Sequence, residues 1–176
     1  MTGPTSALSG LLSPGLPAGT AAFVTGGGSG INLAIAHGLA SVGADVAICG
    51  RSQEKLDAAA SQLRDHGVRV APVAADVRDD KSLAQAIDTA AETFGRLDTV
   101  VAGAAGNFFA SAETISANGF RTVVDIDLLG SFNTARAAFD TCEPLAAASF
   151  SSRPVRHICP SPTNLRSVRR RPVSTT

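Results

Sequence analysis

The residues best suited to chemistry in this chain surround a run of glycines. Gly26, Gly27, Gly28 and Gly30 stand within Ala22 to Asn32, AFVTGGGSGIN. Glycine tolerates positive φ and lets a ligand come close to the backbone. A helical pattern, INLAIAHGLASVG, begins at once. The free N–H groups and positive dipole end of such a helix suit a pyrophosphate. Thr25, Gly26, Gly28, Ser29, Gly30, Ile31 and Asn32 are therefore candidate cofactor-binding residues. An ordinary tight β–α turn would use the same glycines, but the buried strand before them and the amphipathic helix after them favour a nucleotide.

In dinucleotide-binding folds an acidic residue roughly 20 positions beyond the glycines usually holds the ribose 2′-OH. Here the second strand ends in Gly50-Arg51, with no carboxylate at its tip. A guanidinium pairs bidentately with a 2′-phosphate. Arg51, with Ser52 beside it, therefore predicts NADP(H) over NAD(H). The alternative is that Arg51 is a solvated loop arginine.

The elements that must position these residues alternate in type. DVAICG, Asp45 to Gly50, reads as a short buried strand. RSQEKLDAAASQLRDHG reads as a helix, with Ser52 as N-cap and Gly67 as the stop. Its Leu56, Ala59, Ala60 and Leu63 fall on one face. Val68 to Ala74 is a third strand. Asp80 to Phe94 is a third helix, with Leu83, Ala86, Ile87 and Ala90 inward. Leu97 to Ala102 is a fourth strand, and one long helix is expected from about Ala117 to Asp140. Phe120, Val123, Val124, Ile126, Leu128 and Phe132 give that helix a broad apolar surface. Strands and helices alternating at these lengths predict right-handed βαβ crossovers and a parallel α/β sheet.

The 176 residues allow one domain with a real core. No apolar run approaches the length of a membrane span. Residues 1–19, broken by Pro4, Pro14 and Pro17, read as a flexible leader and not as a signal peptide. Cys49, Cys142 and Cys159 have neither disulfide nor metal-ligand spacing. No metal site is expected, Cys49 reads as a small core residue, and the setting reads as reducing and cytoplasmic. The formal net charge of zero conceals a split. Residues 1–142 hold nine Lys/Arg against fourteen Asp/Glu, whereas residues 143–176 hold six Arg, one Glu and five of the nine prolines. Periodicity stops at Cys142. Residues 20–141 are therefore the domain, and 142–176 read as a disordered tail. Its basic run, Val168-Arg169-Arg170-Arg171, has no aromatic neighbours and reads as solvated; neither a nucleic-acid nor a membrane partner is expected.

Four motifs, in order, resemble the short-chain dehydrogenase/reductase family over about residues 20–141. Thr25-Gly26 through Gly30-Ile31 is similar to its TGxxxGI motif. Asp76-Val77 matches its DV pair, whose carboxylate contacts the adenine. AAGN, Ala104 to Asn107, stands where the family has NNAG. DIDLLGSFN, Asp125 to Asn133, resembles its N-x-x-G helix motif, with Asp127 in place of the asparagine. The resemblance implies a Rossmann-type doubly wound sheet and adds Asp76, Val77, Ala104, Ala105 and Gly106 to the cofactor set. GAAGNFFASAETISANGFRTVVDIDLLGSFN is similar, more narrowly, to peroxisomal-type 2,4-dienoyl-CoA reductases and their bacterial relatives. That implies NADPH-dependent reduction of unsaturated acyl-CoA thioesters in fatty acid metabolism. Asn107 and Phe108 would border the acyl pocket, and Asp127 would help a proton relay. The alternative for Asp127 is a structural carboxylate bonding backbone within its helix. The resemblance also implies a homo-oligomer at full length.

The chain departs from the family in several places. Asn32 stands at the third glycine, so helix–strand packing there must tolerate a side chain. Gly103 and Ala104 stand near the NNAG asparagines, so hydrogen bonds to the fourth strand are lost or rerouted. The family's Tyr-x-x-x-Lys pair supplies a proton donor and a lysine for the nicotinamide ribose. This chain has no tyrosine, and its only lysines are Lys55 and Lys81. Tyrosine-independent dienoyl-CoA reductases still keep the lysine. His37, His66 and His157 are poor substitutes, on surface helices or in the tail. The sheet is thus expected to stop after the fourth strand and following helix, leaving a bare edge and an uncovered helix face.

The tail reads as coding sequence out of frame. Shifted by one base from the last base of Thr141, the allowed codons permit LRAARGSLLLVSAGQAYMPFAYQ: a turn, a buried strand ending in Ser, and a loop. Three readings follow: an oxidoreductase whose true product is longer, a non-catalytic NADP(H)-binding fragment, or a gene product that folds unstably.

Overall fold

The computed structural model describes residues 19–106, 110–111 and 113–141. The leader through residue 18, the tail from 142, and Asn107 and Phe108 lie outside them. Strand β1 (Ala21–Thr25) is buried at every position, as suits a central parallel strand covered on both faces. After it come helix α1 (Gly30–Ser41), β2 (Asp45–Gly50), α2 (Gln53–Arg64), β3 (Val70–Ala74), α3 (Asp80–Phe94) and β4 (Thr99–Val101). Helix α4 (Ala117–Val124), a π-helical turn (Asp125–Leu129) and α5 (Gly130–Thr141) complete the described order. The sheet runs β3-β2-β1-β4, and each neighbouring pair is parallel.

Alternation along the inner strands splits the core in two. Phe23 and Cys49 pack with Leu83, Ile87, Phe94 and Leu97 on one face. Val24, Val46 and Ile48 pack with Ala36, Leu56 and Leu63 on the other. The four apolar positions that periodicity assigns to α2 are all buried, and Ser52 caps the helix by accepting the Lys55 N–H at 3.4 Å. The stop lies slightly earlier than the glycine suggests. The helix ends at Arg64, and Gly67, at φ +77°, donates its N–H back to the Arg64 carbonyl.

Strands β3 and β4 are shorter than their hydropathy predicts. Leu97 is fully buried below the ladder and plugs the core. Asp98 is spent on β1: its N–H donates to the Ala21 carbonyl and its carboxylate accepts the Ala21 N–H. The long helix expected to Asp140 is interrupted at Asp125–Leu129 by the π-helical turn. Gly130 begins α5 where the helix presses against the chain after β3. A Cβ there would lie 2.5 Å from Val77 Cγ2 and 3.0 Å from its Cβ, and Asn133 Nδ2 donates to the Val77 carbonyl at 2.9 Å. Ile126 packs against the core. Phe120, Leu128 and Phe132 stay 60% or more exposed (62%, 66% and 60%). Among the described residues, the broad apolar face read from the sequence is thus only partly covered.

Candidate cofactor site

A cleft of about 500 Å³ opens at the carboxyl ends of the strands. It lies where the chain's path reverses, between β1 and β4, the position at which open α/β sheets take their ligands. The β1–α1 turn forms its floor. Gly26 and Gly30 adopt φ +71° and +61°, which a side chain would strain. Gly27 and Gly28 do not; Gly27 is instead required by space, since a Cβ there would lie 2.7 Å from Ile48 Cγ2. Ser29 makes no side-chain cap and the first turn of α1 carries no acid, so the helix's positive end faces the cleft uncompensated.

Gly26, Gly28, Ser29 and Asn32 line the cleft, as do Arg51 and Ser52 at the tip of β2. Asp76, Val77, Ala104 and Ala105 complete the predicted lining. Four predicted residues fall outside it: Gly30, Ile31, Gly106 and Thr25. Gly30 sits at the helix start, Ile31 is 81% exposed, and Gly106 lies just beyond, against Ile126. Thr25 is buried beneath the site. Its Oγ1 donates to the Val101 carbonyl at 3.3 Å and accepts the N–H groups of Gly103 and Ala104 at 3.0 and 3.1 Å. Asn32 Nδ2 donates to the Gly103 carbonyl at 2.6 Å. Thr25 and Asn32 thus supply side-chain hydrogen bonds to the exit of β4.

Asp76 is gripped by Arg78. Its Oδ2 accepts from Arg78 Nη2 at 2.5 Å, and its Oδ1 accepts both the Arg78 backbone N–H and Nε at 3.0 Å. The Arg78 bonds hold the carboxyl below the usual carboxylate range, with the charge of Arg51 adding to them. Asp127 Oδ1 accepts the Gly106 N–H at 2.8 Å. It therefore tethers the loop after β4, a longer-range bond than the within-helix one considered from sequence. Asn107 and Phe108, the expected acyl-pocket pair, lie outside the described residues. Cys49 is a core residue as expected; burial pushes its thiol up to about 12. His37 Nδ1 and His66 Nε2 meet at 3.0 Å, outside the cleft lining.

Sequence reasoning passed over Lys55, Gly103 and Ile126, which also line the cleft. Lys55 was legible: four positions after Arg51 and in the first turn of α2, it is brought to the same helix end. Ile126 was not, because its place depends on the π-helical turn. No cluster of three or more metal-ligating side chains occurs among the described residues, and none of their helices is long and apolar enough to cross a membrane.

A parallel sheet of order 3-2-1-4, helices on both faces and a glycine-floored cleft at the reversal point define the Rossmann-type doubly wound α/β class. Residues 20–147 match the short chain dehydrogenase family, and the chain belongs to it. It is similar to the peroxisomal 2,4-dienoyl-CoA reductase of Danio rerio, 43% identical over 131 residues, which cover 74% of this chain and 44% of that protein. Among solved structures it resembles an alcohol dehydrogenase from Thermococcus sibiricus complexed with 5-hydroxy-NADP. The TM-score is 0.66 and the identity 33%, covering 69% of this chain and 52% of that one. It also resembles carveol dehydrogenase from Mycobacterium avium in complex with NAD, with a TM-score of 0.66 and 30% identity, covering 70% and 50%. The chain thus spans about half the length of the relatives it matches.

Proposed function

We propose that this chain carries the NADP(H)-binding part of a short-chain oxidoreductase acting on enoyl- or 2,4-dienoyl-CoA thioesters, and that as the 176-residue chain it binds cofactor without turning over substrate. The observation that carries the cofactor reading is the tip of β2. Arg51 and Lys55 line the cleft there, and the strand ends in no carboxylate. The arrangement fits a 2′-phosphorylated dinucleotide. The glycine turn and the open end of α1 would hold the pyrophosphate, Arg51 with Lys55 and Ser52 the 2′-phosphate, and Asp76 the adenine edge. Such a cofactor supplies hydride; the chain's own part is to bind and orient it. The substrate class rests on the likeness to the Danio rerio reductase. Reduction also needs a proton donor and a cation by the nicotinamide ribose. The chain has no tyrosine, and of its two lysines Lys55 is at the opposite, 2′-phosphate end while Lys81 stands in the first turn of α3, its N–H donating to the capping Asp79.

The test is titration with NADPH and NADH, followed by NADPH consumption with a 2,4-dienoyl-CoA. Tighter binding of NADPH without consumption supports the proposal. Equal affinities overturn the NADP assignment, and turnover at the rate of a full-length relative overturns the inactivity. The exposed Phe120, Leu128 and Phe132 favour a second reading, that the chain folds only marginally or self-associates as a homo-oligomer; loss of a cooperative melting transition would mark it. The cytoplasmic setting remains a proposal, and the Danio rerio relative is peroxisomal by name.

A further inference from the structure

Asn32 and Gly103 lie 71 positions apart and meet in one contact. We infer that they form a single coupled unit, in which the Asn32 carboxamide on α1 takes the space and hydrogen-bonding role of a side chain at the end of β4, and so positions the Gly103–Ala105 wall of the cleft. Asn32 Nδ2 donates to the Gly103 carbonyl at 2.6 Å; because a carbonyl only accepts, the contact fixes which way the amide faces. Gly103 is not required by its backbone, since it is absent from the positive-φ glycines. Space requires it. A Cβ on Gly103 would collide with Asn32 Oδ1 and lie 2.7 Å from Cγ and 3.0 Å from Nδ2. All three nearest atoms belong to Asn32. The same carboxamide crowds Gly26, where a Cβ would lie 2.7 Å from Nδ2. One side chain therefore holds the glycine turn and the β4 exit at a fixed separation, and both line the cleft.

The test is a double-mutant cycle of Asn32→Gly and Gly103→Ala. With Asn32 present, the new methyl displaces the carboxamide and breaks its bond, and Gly103→Ala lowers the melting temperature by about 5 °C. In the Asn32→Gly background the same substitution has almost no effect. Equal losses in both backgrounds overturn the coupling. The dissociation constant for NADPH, a readout that rests on the function proposed above, follows the same pattern. Gly103→Ala raises it several-fold only when Asn32 is present, and a constant unmoved by either change overturns the positioning role. Should Gly103→Ala fail to fold, Asn32→Asp decides, because the isosteric carboxylate cannot donate to the Gly103 carbonyl. A melting temperature as low as that of Asn32→Gly supports the unit, and an unchanged one overturns it. If the unmodified chain binds no NADPH, the function proposal falls while the melting cycle still decides the pair.

Discussion

The carboxylate of Asp127 accepts the N–H of Gly106 at 2.8 Å, joining the π-helical turn to the segment that leaves β4. The bond is exposed, so its contribution falls below that of a buried bond to a charged group, to about 0.5–1 kcal/mol. Asp127→Ala should lower the melting temperature by a few degrees, and Asp127→Asn, which keeps an acceptor oxygen, should restore most of it. If both variants melt like the unmodified chain, Asp127 is no tether.

Arg51 makes no ion pair or hydrogen bond among the described residues, and Asp76 feels its charge. Arg51→Asp should weaken NADPH binding tenfold or more, about 1.4 kcal/mol, while changing NADH binding little. Lys55→Ala should act in the same direction by a smaller factor. Competitive titration of the two dinucleotides checks both, and equal losses for NADPH and NADH would show that Arg51 does not read the phosphate.

Gly130 has no room for a side chain against Val77. Gly130→Ala should destabilise the domain by about 1–3 kcal/mol, the range for overpacking, despite alanine's better helix propensity. Val77→Ala in the same chain should relieve part of that loss. Thermal melts of the two single variants and the double variant measure it.

Asp98 sits at the base of β4 with its side chain buried. Burial opposes its ionisation, but bonds from Arg96 and the Ala21 N–H outweigh it and hold the carboxyl below the usual range. A carboxylate depressed in the folded state contributes stability above its unfolded pKa, near 4, and loses it as pH falls through the folded value. The melting temperature should therefore drop as pH falls below about 4. Asp98→Asn should melt lower at pH 7 and show a flatter acid limb; an acid limb as steep as that of the unmodified chain would rule Asp98 out as its source.

The out-of-frame reading of residues 142–176 predicts that DNA sequenced across Asp140 to Ser152 carries one base more or fewer than the written frame. A message that keeps the written frame through Thr176 would end that reading and leave the cofactor-binding fragment.

The alternation of strands and helices and the burial of α2 and α3 were legible because strand and helix periods are local properties of the chain. Leu56, Leu63, Leu83 and Ile87 announce their faces by spacing alone, and the structure buries each of them. The cleft was legible in part for a different reason: Gly26, Arg51 and Asp76 follow strand ends, and the carboxyl ends of parallel strands share one edge of the sheet. The π-helical turn was not legible. Nothing within Asp125–Leu129 breaks an α-helix; contacts made elsewhere, at Val77, accompany it. Asn32 was recognised as a departure, but its partner lies 71 positions away, beyond any periodicity.

The hydroxyl of Thr25, buried beneath the cleft, bonds three backbone groups of the β4 exit, all of them within the protein. Residues 101–104 are thus ordered by folding itself. The conformational entropy of that wall is lost when the chain folds, and a dinucleotide entering the cleft does not lose affinity to ordering it. Thr25 lets the fold, rather than the ligand, set the width of the opening.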